Sequence, residues 1–133
     1  MLTVLNYIDT IMDALRQIPD AYVSTEQIQQ DIADPVWNGV NSITLITGDL
    51  NPINTLNAGT IGYSTQIIVR CISDTNDNAV KLARIAAAVV RAAIPINTLT
   101  DGNTAIARVS DSNNAPFGWR VSVGFNLHVK NSI

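Results

Sequence analysis

Apolar and polar positions along the chain change period several times, and each change marks an element. Residues 3 to 18 set Val4, Leu5, Ile8, Ile11, Met12, Leu15 and Ile18 three or four apart, with Asn6, Asp9, Asp13, Arg16 and Gln17 opposite. That spacing predicts a helix, which Thr3 is placed to cap and Pro19 to end. Residues 63 to 73, YSTQIIVRCIS, alternate instead. Tyr63, Thr65, Ile67, Val69 and Cys71 fall on one face and Ser64, Gln66, Ile68, Arg70 and Ile72 on the other. This is a strand buried on one side and partly covered on the other. It turns at Asp74 into a second helix, on which Ala79, Leu82, Ala83, Ala86, Val89, Val90 and Ala93 draw a narrow apolar stripe. Small side chains let a helix lie close against a sheet, and the nearest sheet is the strand before it. Asp74, Thr75 and Asp77 crowd the helix start, where oxygen side chains accept free N–H groups and negative charge suits the dipole. Pro95 stops the helix.

The remaining segments fill in a sheet. Between 20 and 42, Ser24, Gln27 and the spacing of Ile28 and Ile32 predict one or two helical turns with a capping box, broken at Asp34-Pro35. Asn38-Gly39 after Trp37 predicts a turn. SITLIT at 42–47 and TAIARVS at 104–110 are short β-branched runs, and DSNNAP at 111–116 is turn chemistry. Residues 118 to 130 alternate most clearly: Trp119, Val121, Val123, Phe125, Leu127 and Val129 against Arg120, Ser122, Gly124, Asn126, His128 and Lys130. One dry and one wet face is the habit of antiparallel sheets. The order helix, strand, strand, helix, strand, strand predicts an α+β two-layer sandwich over residues 1–133, a single domain. Two helices cover one face of an antiparallel or mixed four-stranded sheet.

The segment 48–62, GDLNPINTLNAGTIG, fits none of these periods. It carries one charge and four aliphatics, Leu50, Ile53, Leu56 and Ile61. Fifteen residues without an element are unusual in a compact domain unless they are functional or disordered, and a disordered tip is more often charged than aliphatic. The segment reads either as a floppy tip or as a partner-binding arm on a long hairpin whose flanking strands pair antiparallel. Composition agrees with a hidden surface. Only 14% of the 133 residues are charged and 47% are hydrophobic, against about a quarter charged in a typical domain. Part of this surface is therefore expected to meet other copies or partners, since obligate interfaces resemble a core cut in half. A formal net charge of -3 and scattered basic residues argue against a DNA-binding patch.

Candidate chemistry is sparse. Cys71, the single cysteine, sits on the apolar face of its strand and can form no internal disulfide, which fits a reducing compartment. His128, the single histidine, lies on a polar face with no patterned nucleophile or orienting partner. Asp9 and Asp13 are one turn apart but lack a third ligand. Phe117 and Trp119 pack a strand start more readily than they stack bases, because Arg108 and Arg120 alone make no groove. Phosphate loops, dinucleotide fingerprints and metal spacings do not occur, so neither an enzyme nor a cofactor is expected. No stretch nears the roughly 20 apolar residues of a membrane span, and the first fifteen residues do not read as a signal peptide.

The element order and several local patterns resemble a family. An N-terminal helix, a strand near Ser42, a long hairpin, and Gln66-Ile67-Ile68-Val69-Arg70-Cys71 followed by Ser73-Asp74-Thr75 are similar to the tail terminator proteins of long-tailed bacteriophages. So are the helix from Asp77-Asn78-Ala79 and the closing DSNNAPFGWRVSVGFNLHV. The resemblance spans nearly the whole chain and includes no catalytic signature. It implies a minor tail protein of the virion, assembled in the host cytoplasm. Such a protein forms a hexameric ring on the finished tail tube, stops its polymerisation and offers a joint to the head. The implied partners are further copies of the chain, the tail tube protein and a head–tail connector or neck protein, with DNA only passing through the lumen and no membrane. Leu50, Ile53, Leu56 and Ile61, with Phe117, are the candidate assembly residues, and exposed strand edges are candidate pairing surfaces. Two alternatives stand beside this: a head-completion or stopper protein of the same neck, and a small ligand-binding or enzymatic α+β domain using a pocket between helix and sheet.

Overall fold

The computed structural model describes residues 4–27, 41–57, 59–95, 98–110 and 117–130, with all their side chains except those of 24–27, 101, 103–110, 117–118 and 130. In chain order the elements are α1 (Val4–Leu15), β1 (Tyr22–Gln27), β2 (Ser42–Thr47), β3 (Asn51–Thr55), β4 (Gly59–Ser73), α2 (Asn76–Ala93), β5 (Leu99–Ser110) and β6 (Phe117–Lys130). They form one six-stranded sheet in the order β1-β2-β4-β6-β5, with β3 also on β4. β1 and β2 are parallel and every other pair is antiparallel, so the fold is α+β with a mixed sheet.

β4 lies at the centre because both of its faces and both of its edges are used. Thr65, Ile67, Val69 and Cys71 are buried on the face that meets the helices, as the alternation requires. Their partners on β2 and β6 share that face: Leu45 and Val123 flank Val69, while Ile43 and Val121 flank Cys71. On the opposite face Thr44, Arg70 and Ile72 are also buried, so the lower half of the sheet is covered on both sides. α2 lies across β4 and β6 and α1 packs chiefly on α2. The contact surface of α2 is Ala79, Leu82, Ala83, Ala86, Ala87 and Val90, and Val89 and Ala93 are half-buried at its margin. Four of those six buried side chains are alanines, which is what brings the helix axis close to the strands.

The start of α2 is fixed by side chains. Thr75 is its N-cap, in extended backbone, and its hydroxyl accepts the Asn78 backbone N–H at 3.1 Å. Thr75→Ala is expected to cost about 1 kcal/mol, read as a melting temperature lower by a few degrees. An unchanged value would mean that the first turn does not depend on the cap.

Two of the expectations are corrected. The sheet has six strands where four were expected, because β1 and β3 are also paired. β1 occupies the segment around Ser24 and Gln27 where a capped helical turn was expected. Six consecutive residues there pair with 42–47, and Tyr22 N–H donates to Asn41 C=O at 2.8 Å. A capping pattern has to compete with such a ladder, and a helix of one or two turns is too short to win in water. The expected continuation at Ile28 to Ile32, the break at Asp34-Pro35, the Asn38-Gly39 turn and the 111–116 turn lie outside the described residues. Tyr63 also differs from expectation: its parity puts it on the apolar face, but it is exposed.

Candidate assembly surface

β2 and β3 follow one another along the same edge of β4, β2 against residues 67–72 and β3 against 59–64. The two therefore form one long ascending arm of a hairpin whose descending arm is β4. The joint between them is stitched to β4: Gly48 N–H donates to Gln66 C=O at 2.9 Å, and Thr65 Oγ1 donates to Gly48 C=O at 3.0 Å. The long antiparallel hairpin expected from the sequence is present, and its upper part is a bulged ribbon of β3 on β4, joined by the end of β6 only at residues 62–64.

Lengths explain where this ribbon goes. The 18 residues of α2 span about 27 Å, which equals about eight strand residues. Running back from Ser73, the helix therefore gives out near Thr65. Arg91 in its last turn sits 5.3 Å from the ring centre of Phe125, the cross-strand partner of Ile67. β3 and residues 59–64 continue beyond that cover, and β3 has no substantial packing partner among the described elements except β4. Tyr63 lies at this level and is 41% exposed, although its cross-strand partner Val129 on β6 is buried.

The ribbon is uncharged from Leu50 through Val69. Leu56 at the turn is fully exposed, Leu50 is 48% exposed, and Ile53 and Ile61 are half-buried. Ile53 faces Gly62 and Asn54 faces Thr60, which leaves Ile61 as the extra residue of a bulge. Gly59 closes the turn with φ +66°, a conformation that disfavours any side chain. Thr60 Oγ1 donates to Asn54 Oδ1 at 2.8 Å across the ribbon. Pro52 lies within β3, and a strand accepts a proline only where its missing N–H would face away from the ladder. The free edge of β3 therefore has a gap in its donors, which disfavours strand addition and leaves the side chains as its means of contact.

Phe117 does not join this group. It is the first residue of β6 and pairs with Ser110, whereas the arm pairs with the other end of β6 at His128 to Lys130. That places it about 40 Å away along the strand. Its side chain lies outside the described residues. Tyr63 is the residue sequence reasoning missed, since alternation gives its face and not its exposure.

Groups of chemical interest are dispersed. Cys71 is fully buried, and burial pushes its thiol up to about 12, so it packs as a small hydrophobe. His128 Nε2 is 3.5 Å from Thr100 Oγ1 on the polar face. Asp13 pairs with Arg16 at 3.3 Å on the exposed side of α1. Trp119 packs against the margin of the core. At the start of α2 the buried Ser73 hydroxyl donates to Asn41 Oδ1 at 2.7 Å and lies 3.2 Å from Asp74 Oδ1. The Asn78 side-chain amide, donating to Asp74 at 2.9 Å, holds that carboxyl below its usual range, aided by Ser73 and the Thr75 N–H. These bonds tie strand to helix. Among the described residues no three His, Cys, Asp or Glu side chains converge on a metal site, and no helix is long and apolar enough to cross a membrane. No protein-family model and no curated protein matches the chain.

Proposed function

We propose that this chain is a structural protein of a bacteriophage virion. It would form a ring on the head-proximal end of the tail tube, end tube polymerisation and provide the joint to the neck. The observation that carries the proposal is the uncharged ribbon standing clear of the helices with Leu56 fully exposed at its turn. A lone protein gains nothing from holding aliphatic side chains in water on an ordered arm, whereas a subunit buries them on its neighbour or on the tube. The low charge of the whole chain points the same way. So does the resemblance carried by residues 66–79 and 111–129. A ring needs a heterologous contact that closes on itself, and a projecting arm supplies one half of such a contact. The role is architectural, with no chemistry of its own.

The test is solution mass across concentration, by light scattering behind a sizing column, followed by negative-stain images with and without tail tubes. Rings of about six copies, free or on the head-proximal tube end, support the reading. A protein that stays monomeric and ignores tubes overturns it, and thermal-shift screening for small ligands then becomes the next experiment.

The arm itself makes a separate prediction. Leu56→Asp and Ile53→Asp are expected to leave the melting temperature within a few degrees of the parent and to weaken assembly at least about tenfold, since hot-spot truncations cost ~2 kcal/mol or more. If either variant unfolds, the ribbon belongs to the core.

A further inference from the structure

We propose that copies of this chain dock through their helical layers, the acidic outer face of α1 on one copy against the basic outer face of α2 on the next. The two helices pack side by side, yet they present opposite charge to solvent. α1 and the turn after it expose Asp9, Asp13 and Asp20 against the single guanidinium of Arg16, which is already engaged by Asp13. α2 and the turn before it expose Lys81, Arg84 and Arg91 against the carboxylates of Asp74 and Asp77, both at the helix start where the dipole compensates them.

Three of the eight basic residues of the chain are thus on one helix face, in a protein with few charges to place. Among the described residues Asp9, Lys81 and Arg84 have no ion-pair partner within their own chain. Each face also carries a large exposed aliphatic at its middle or rim, Leu5 at 64% on α1 and Ile85 at 50% on α2. An apolar residue ringed by charge of one sign, opposed to an apolar residue ringed by the other, is the composition of a docking pair. Charges there set partner and register while the aliphatics supply burial. The faces are different surfaces of one chain, so the contact is heterologous and repeats head to tail. Its closure into a ring rests on the function proposed above, but its existence does not, and it uses none of the arm residues.

Charge reversal tests it. Three proteins are purified: parent, Asp9→Lys/Asp13→Lys, and Lys81→Glu/Arg84→Glu. All four substituted positions are exposed, and circular dichroism confirms folding before association is measured by sedimentation velocity at low salt. The parent is expected to associate. Each reversed variant alone should associate at least about tenfold more weakly, because like charges now face one another. An equimolar mixture of the two variants should recover association, since each acidic face again meets a basic one. Raising the salt to about 0.5 M should weaken the parent and the mixture alike.

Reversed variants that assemble as well as the parent overturn this interface and leave the ring reading standing. So do variants that are both impaired but fail to rescue each other. A parent that is monomeric at every concentration overturns this interface, and it overturns the ring reading as well only if it also ignores tail tubes.

Discussion

Val69→Asp is expected to leave no folded protein. Val69 is wholly buried in the middle of β4, between Leu45 of β2 and Val123 of β6, on the face covered by α2. A carboxylate there is placed between the apolar side chains of Leu45 and Val123, in the core cluster. Burying an unpaired charge costs several kcal/mol, comparable with the 5–15 kcal/mol that hold a small domain together. Far-UV circular dichroism and solubility on expression read the result. A soluble variant with the parent's spectrum would falsify the assignment of the core face.

Phe125→Ala should be severe for a different reason. Phe125 is the largest fully buried side chain among the described residues, cross-strand from Ile67, and its ring also lies under the Arg91 guanidinium. Truncation removes a whole ring from a closed site, which costs about 3–5 kcal/mol through lost transfer energy and a cavity that relaxes only partly. Urea unfolding should show the midpoint falling steeply with an unchanged slope. Arg91→Ala separates the two contributions. It leaves the ring in place and should cost no more than about 1 kcal/mol, the worth of an exposed cation–π contact. An Arg91→Ala loss equal to that of Phe125→Ala would show that the guanidinium, and not the packing, holds the end of α2.

The contrast between these sites and the arm explains what could be read without a structure. The two helices, β4 and β6 were legible because each runs long enough for its period to repeat. Ile67, Val69 and Cys71 on one face of β4 and Phe125 and Leu127 on one face of β6 leave no second solution. β1 and β3 were not legible, since six residues of YVSTEQ and five of NPINT carry too few apolar side chains to show a period. They become strands through hydrogen bonds to Ser42–Thr47 and to the upper half of β4, which is information held in the partner. Among the candidate assembly residues, Leu50, Ile53, Leu56 and Ile61 do share one ribbon. Phe117 is at the far end of the sheet, because sequence distance says nothing about which end of a strand meets which. Tyr63 was misplaced because alternation gives a face and not an exposure: its partner Val129 on that face is buried while Tyr63 is not.

The central place of β4 also sets an order of events. Its partners on one edge, β2 and β3, precede it immediately in the chain, so that hairpin closes from short loops. Its other edge waits for β6, which begins at Phe117, and β5 in turn leans on β6. On a ribosome moving at about 5–20 residues per second, a finished β4 keeps one open edge for seconds before its partner is made, whereas α2, which covers its Ile67-Val69-Cys71 row, follows at once. The uncharged ribbon lies beside that open edge. During synthesis, then, neighbouring nascent chains on one message are the first competitors for the pairing that β6 will later occupy, and the lifetime of that interval governs how much of the protein reaches its native state.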